Sequence, residues 1–345
     1  MTTNLSPDYK KAEKAFRDAR DEQMRLSCLK EMLRTIPKHK GTEHLQADIK
    51  SRIKQQRENI ARPKKGGKRS NGPAHSIRPD GAAQVALIGP PNAGKSSLHV
   101  ALTGSRAVVG PYPHTTHELM PGMLPFEDVR FQIIDSPPVT ADYMDSWFAN
   151  ALQLTDAVML VVDISDPQCA DYLAIVCERF DEKKVTLSHA WPGINGRKTE
   201  RADDDEKALD PFRIYLPTLL VVNKIDLNGD PKDVVALIEL TGVSFPALWT
   251  SAQSRENLEN IGATLFKALD IVRVYTKMPG KSAQMGRPFT VRSGATVLDV
   301  ARLVHKDIAG SFKYARAWGR RVFDGQQVGP EHQVVDRDIV ELHIR

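Results

Sequence analysis

The octapeptide Gly89-Pro90-Pro91-Asn92-Ala93-Gly94-Lys95-Ser96 restricts this chain more than any other stretch. It follows the apolar run QVALI and precedes the helix-forming SSLHVAL, so strand, glycine-bearing loop and helix come in that order. The pattern G-x-x-x-x-G-K-[ST] in this setting wraps phosphates in backbone N–H groups at a helix N-terminus. Gly89, Pro90, Pro91, Asn92, Ala93, Gly94, Lys95, Ser96 and Ser97 are the expected phosphate contacts. Lys95 would bridge the β- and γ-phosphates, and the Ser96 hydroxyl would bind Mg²⁺. The plainer alternative, a glycine turn with an incidental lysine, does not account for the flanking strand and helix.

A loop of this kind needs a parallel sheet behind it, and the following sequence supplies one. QVALIG, VRFQIID, AVMLVVD and TLLVVNK each read as a buried strand ending at a polar residue. Helical patterns lie at 95–104, 144–154, 168–181, 231–240 and 255–269. Continuous apolar strands alternating with helices predict a doubly wound α/β domain over 83–270, with ligands at the carboxyl ends of the strands. Residues 189–216, HAWPGINGRKTERADDDEKALDPFRIYL, interrupt the rhythm and read as an exposed insertion.

Other strand ends specify the base and the metal. Asn223, Lys224 and Asp226 follow TLLVV, and a carboxylate there can accept from both the ring N–H and the exocyclic amine of guanine. Ser251 and Ala252, in Thr250-Ser251-Ala252, would turn a backbone N–H toward the guanine oxygen. Asp135 ends VRFQIID, where a carboxylate can hold Mg²⁺ through water. Thr115 and Thr116 sit in the long loop PYPHTTHELMPG, and Thr116 is the expected closure over Mg²⁺ and the γ-phosphate. GTP or GDP with Mg²⁺ is therefore the expected ligand set, with Lys95, Thr116 and Asp135 carrying the chemistry.

At 345 residues the chain has room for further domains. Residues 1–62 read as a helical hairpin. Ser6-Pro7 starts it, and Ala12, Phe16, Ala19, Leu26, Leu29 and Leu33 recur at three- and four-residue spacings with one longer step. Pro37 ends that helix, and Thr42 caps a second whose Leu45, Ile49 and Ile53 share a face. Residues 63–82 are a linker rich in glycine, proline and positive charge. The net charge of +5 is modest, but Lys50, Arg52, Lys54, Arg57, Arg62, Lys64, Lys65, Lys68 and Arg69 cluster in one run. That run is either a solvated face or a surface for a polyphosphate such as RNA. Over 271–345, IVRVYTK, RPFTVR and DIVELHIR read as strands around the helix TVLDVARLVHKDI, an α+β order compatible with a small β-grasp sheet.

Cys28, Cys169 and Cys177 are too few and too scattered for a disulfide framework or zinc site, so a reducing, cytoplasmic setting is expected. No apolar run approaches about 18 residues, so no membrane association is expected. A monomer is expected.

GPPNAGKSSL, the PYPHTT loop, NKID and the tail together resemble Obg-related GTPases, specifically the developmentally regulated GTP-binding (DRG) branch. RTIPKHKGTEHLQADIKSRI is similar to that branch's N-terminal helical segment. VRVYTKMPGK, VHKDIAGSFKYARAWG and DRDIVELH look like its C-terminal TGS domain. The resemblance implies GTP hydrolysis, Mg²⁺, and association with the ribosome or ribosomal RNA, with or without a protein cofactor. It also implies that Asn92 is a candidate ligand for K⁺ beside the phosphates. For the TGS segment, Lys306, Lys313, Tyr314, Arg316, Trp318, Arg320 and Arg321 interleave cations with aromatics, chemistry suited to phosphates and bases. Alternatively, Tyr314 and Trp318 simply pack the domain's core.

One departure from the family stands out. Its pattern after the strand is D-x-P-G, whereas this chain has Asp135-Ser136-Pro137-Pro138. Proline at 138 removes a backbone N–H normally given to the γ-phosphate and stiffens the turn. Two readings remain open from sequence: a slow, Mg²⁺-dependent GTPase acting with the ribosome or RNA, and a nucleotide-binding scaffold with little or no turnover.

Overall fold

A computed structural model describes the chain except for residues 1–5, 20–21, 38–41, 62–76, 106–117, 146, 195–209, 211, 229–230, 284 and 345. Two compact units emerge, Met1–Gly72 and Pro73–Arg345. Most of the basic linker thus lies outside the described residues.

The first unit holds α1 (Pro7–Asp18), α2 (Glu22–Thr35) and α3 (Glu43–Ala61). Ser6 caps α1 by accepting from the Tyr9 N–H at 3.2 Å, with Pro7 in the first turn. The expected hairpin is corrected to three helices, because the first stretch breaks where the backbone turns extended at Ala19, φ −73° and ψ 120°. That break falls at the long step in the apolar spacing, between Ala19 and Leu26, where no side chain continues the stripe. Arg25 Nε donates to the freed Ala19 carbonyl at 2.9 Å. Tyr9, Ala12, Leu29, Met32, Ile49 and Ile53 are buried.

The second unit begins with β1 (Ala83–Ile88), α4 (Lys95–Thr103), β2 (Met120–Phe126), β3 (Val129–Asp135), α5 (Phe148–Ala151) and β4 (Ala157–Asp163). It continues through α6 (Cys169–Glu182), β5 (Val185–Ser188), β6 (Ile214–Asn223), α7 (Ile225–Asn228), α8 (Pro231–Thr241), β7 (Ala247–Trp249) and α9 (Glu259–Ala268). The strands run in the order β2-β3-β1-β4-β6-β5, with β7 also on β6. All pairs are parallel except β2 with β3. Alternate residues of the central strands feed two cores. Val85, Leu87, Ile133, Met159 and Val161 face one layer of helices, and Ala86, Ile88, Ile134, Val158 and Leu160 face the other. Burial on both faces is why these strands are apolar throughout.

β2 was not foreseen as a strand, since Pro121 and Pro125 interrupt it, but it lies at the sheet's edge, where proline is tolerated. A second correction concerns the insertion. Its beginning is core, not exposed loop: Trp191 is buried, its ring N–H donates to the Thr218 carbonyl at 3.2 Å, and the Gly193 N–H donates to Ala268 O at 2.8 Å. Its end is strand β6, and Phe212 is buried too.

The chain closes with β8 (Ile271–Lys277), β9 (Phe289–Arg292), α10 (Val297–Val304), α11 (Lys306–Gly310), β10 (Phe312–Gly319), β11 (Val322–Val328) and β12 (Asp338–Ile344). These strands form a second sheet, β11-β10-β12-β8-β9, in which β12 and β8 run parallel and the other pairs antiparallel. Thr296 and Asp299 cap α10 reciprocally, and Val297 and Val300 bury its face against Val272, Val274, Ala315, Ala317 and Val340. This is the α+β, β-grasp-like arrangement expected of the tail.

Arg273 of β8 joins the two sheets. Its guanidinium reaches Glu127 and Asp128, in the β2–β3 turn, and Asp336, with Nη1–Oδ1 of Asp128 at 2.9 Å and Nη2–Oδ2 of Asp336 at 2.7 Å. Phe266 lies beneath it at 4.7 Å, and the Tyr275 hydroxyl donates to Asp128.

Candidate functional site

The carboxyl ends of β1, β3, β4 and β6 bring most of the sequence-derived residues to one edge of the sheet. The loop after β1 is folded by unusual backbone geometry: Gly89 has φ 146°, Asn92 58° and Gly94 88°. A Cβ on Gly94 would overlap the Asn223 side-chain amide, so glycine is needed there for space as well as for φ. Asn92 is exposed, whereas Pro90 and Ala93 are buried.

Lys95 opens α4 and is buried. Its ammonium donates to the carbonyls of Gly89 at 3.0 Å and Pro90 at 2.6 Å. Burial pushes its pKa down to about 8, and the nearby Asp135 charge opposes that only in part. Ser96 Oγ donates to Asp135 Oδ2 at 2.5 Å, so the second residue of α4 meets the tip of β3. Asp135 Oδ1 is buried with no hydrogen-bond partner among the described residues. A serine hydroxyl and a carboxylate with an uncommitted oxygen are the donors a hard divalent cation takes.

Asn223 links the Thr250–Ala252 turn to the phosphate loop. Its amide donates to Ala93 O at 2.9 Å and its carbonyl oxygen accepts from the Ala252 N–H at 3.1 Å. One side chain thus spaces the phosphate loop from the Thr250–Ala252 turn. Ser251 is buried and its hydroxyl accepts from the Ser254 N–H at 2.9 Å. Lys224, at φ 65°, pairs with Asp163 Oδ2 at 2.6 Å, and Asp226 stands exposed in the first turn of α7. Sequence reading missed Asp163. The signal was there, a carboxylate at the end of AVMLVVD, but no motif named it.

After β3 the chain turns at Ser136, whose hydroxyl donates to Leu87 O. Pro138 is half-buried and Val139 buried. The Val139 N–H donates to Gly89 O at 3.0 Å, the same carbonyl that accepts from Lys95. Thr115 and Thr116, the expected closure over Mg²⁺, lie outside the described residues.

The other expected surface is on the second sheet. On β10, Ala315 and Ala317 enter the core, so Tyr314, Arg316 and Trp318 take the opposite face. The core-packing alternative for the two aromatics therefore does not hold. Tyr314 stacks on His343 at 4.5 Å and 13°, and Lys277 Nζ stands 4.3 Å over the Trp318 ring. An open cleft of about 520 Å³ is lined by Lys277, Gly280, Lys281, Ser282 and Trp318. Lys313, Arg316, Arg320 and Arg321 are exposed. Among the described residues no helix is long and apolar enough to cross a membrane.

Residues 84–190 match the family described as 50S ribosome-binding GTPase, and residues 272–344 match the TGS domain. A GTP-binding protein of Methanocaldococcus jannaschii is 27% identical over 92% of this chain and 91% of its own length. Developmentally-regulated G-protein 3 of Arabidopsis thaliana is 26% identical, covering 90% of this chain and 95% of its own. The Schizosaccharomyces pombe YchF GTPase structure superposes with a TM-score of 0.53 at 15% identity, over 77% of this chain and 99% of that one. A GTP binding protein from Pyrococcus horikoshii gives a TM-score of 0.50 at 15% identity, over 76% and 100%. These two likenesses concern the fold.

Proposed function

We propose that this chain, which belongs to the Obg-related P-loop GTPases and ends in a TGS domain, is a slow, Mg²⁺-dependent GTPase that works with the ribosome or its RNA. The observation that carries the nucleotide part is the meeting of Ser96, at the start of α4, with Asp135, at the tip of β3, beside Lys95 and with one Asp135 oxygen uncommitted. Ser96, Asp135 and Thr116 would hold the Mg²⁺, which when bound neutralises charge on the phosphate oxygens. Asn92 would hold K⁺. Asn223 and Ala252 would frame the base, Asp226 would read its edge, and Lys95 would neutralise the β- and γ-phosphates.

Slowness follows from the turn after β3. Pro138 has no N–H, and the next one along, on Val139, is engaged by Gly89. The same turn favours the second reading, a nucleotide-occupied scaffold with little turnover.

The ribosome or RNA contact is supported by the exposed cations and half-buried aromatics on the outer face of the second sheet, and by the ribosome-binding description of the matched family. Calorimetry on the nucleotide-stripped chain with GDP, GTP and ATP tests binding. Phosphate release in KCl against NaCl, with and without ribosomes, separates enzyme from scaffold. No uptake of either guanine nucleotide sinks the proposal.

A further inference from the structure

His99 sits one turn after Ser96 on α4 and is fully buried. Its Nε2 lies 3.3 Å from the Ile133 carbonyl on β3, and its Nδ1 lies 3.0 Å from the Ser105 hydroxyl. A carbonyl only accepts, so Nε2 carries the ring proton and donates to Ile133, and Nδ1 is the acceptor for Ser105. Burial lowers the ring's pKa below 6.5, which favours this neutral form. The fold makes room for the ring. A Cβ on Gly122, the register partner of Ile133 on β2, would lie 2.7 Å from Nε2.

This bond repeats the Ser96–Asp135 contact one step along. Ser96 and His99 share a helix face one turn apart, and Ile133 precedes Asp135 by two on the strand, so two rungs join α4 to β3. Leu98 and Leu102 also pack the helix into the core, but apolar packing is non-directional and sets no register. With an ion in place, the Ser96 hydroxyl and the Asp135 carboxylate would turn to it and give up their bond to each other. The second rung is what remains. We propose that His99 is a positioning residue for the Mg²⁺ site: by bonding Ile133, it holds α4 at the spacing from β3 at which Ser96 and Asp135 share one ion. The inference rests on the reading of those two residues as Mg²⁺ ligands.

The test is calorimetry on the full-length, nucleotide-stripped chain with a non-hydrolysable GTP analogue, in excess Mg²⁺ and in EDTA. The ratio of the two affinities is the gain that Mg²⁺ provides. His99→Leu keeps apolar bulk and removes both bonds, His99→Asn is too short to reach Ile133, and His99→Gln keeps an N–H near the Nε2 position. The Leu and Asn variants should cut the Mg²⁺ gain about ten- to a hundredfold, as losing a residue that orients metal ligands does, and leave the affinity in EDTA unchanged. The Gln variant should recover most of the gain, and Ser105→Ala should keep it whole. Should His99→Leu not fold, the contrast between Asn and Gln decides alone. A full Mg²⁺ gain in His99→Asn overturns the assignment. So does an equal loss with and without Mg²⁺, a Gln variant no better than Asn, or a loss as large in Ser105→Ala. If the unsubstituted chain shows no Mg²⁺ gain, the reading of Ser96 and Asp135 falls instead, an outcome visible before any variant is made.

Discussion

The backbone N–H of Val139 donates to the carbonyl of Gly89 at 3.0 Å, tying the residue after Pro138 to the first glycine of the phosphate loop. Two consecutive positions therefore offer nothing to a γ-phosphate: one has no N–H, and the other's is engaged. Pro138→Gly restores a donor at the first. One hydrogen bond to a charged group is worth roughly 1.5–3 kcal/mol, so the preference for GTP over GDP should rise about ten- to a hundredfold. Single-turnover hydrolysis should quicken with it. Parallel GTP and GDP titrations that move by the same factor would show that this N–H has no part in sensing the third phosphate.

Asp226 sits exposed at the start of α7 and is the residue expected to read the base. A carboxylate accepts two hydrogens from guanine, whereas an amide can accept one and donate one. Asp226→Asn should therefore lower GDP affinity by about a hundredfold or more, because buried polar edges are left mismatched, and create affinity for xanthosine diphosphate. Competition between the two nucleotides for the variant is the measurement. If GDP still wins, Asp226 does not face the base.

Lys95 gives a pH dependence whose sign can be worked out. Its pKa falls from 10.5 in the free side chain to about 8 on burial. Between those values the unfolded chain holds the proton and the native chain does not, so native stability rises as pH climbs from about 8 to 10.5. Below that window both states are charged, and the native state bears the full desolvation cost, about 3 kcal/mol at roughly 1.4 kcal/mol per pH unit. Lys95→Met should accordingly melt higher than the unsubstituted, nucleotide-free chain at pH 7. The difference should shrink toward pH 10.5, and GDP should add nothing to the variant's melting temperature. A variant that melts lower at pH 7 would mean that the bonds to Gly89 and Pro90 outweigh the burial.

The residues that converge on this edge of the sheet were legible because each motif is local: a loop, a tripeptide and a strand-end carboxylate each fit in a few residues. What it hid was non-local. Asp163 pairs with Lys224, sixty-one positions away. Trp191 belongs to the core because Thr218 and α9 come to meet it, and the proline and glycine that follow it made it look like loop. β10 and β11 escaped notice because charged and polar residues separate the aromatics of their outer face and small alanines fill part of the inner one, so the apolar signal of a strand was thin. The first helix broke at the one irregular step in its own spacing, a place where periodicity did carry a warning.

Arg273 allows a prediction about how the second sheet is held. Its side chain is 5% exposed and its neighbours include Glu127, Asp128 and Asp336. Burial alone would raise Asp128, but hydrogen bonds from Tyr275 and Arg273 hold its carboxyl below the usual range. Asp336, likewise raised by burial, is brought down by Arg273. Removing the guanidinium would leave carboxylates facing one another with their cation gone, so Arg273→Ala should cost about 3–5 kcal/mol in chemical denaturation. Arg273→Lys should recover only part of this, because an ammonium cannot bond two carboxylates through a planar fork. Both carboxyls titrate lower in the native state than in the unfolded one. The stability they contribute is therefore present above the unfolded value of 3.8 and lost as pH falls through the native ones. The gap between the unsubstituted chain and Arg273→Ala should narrow as the solution is acidified through that range. A gap that stays constant from pH 7 to pH 3 would show that Arg273 stabilises through its packing on Phe266, and that the charge cluster contributes little.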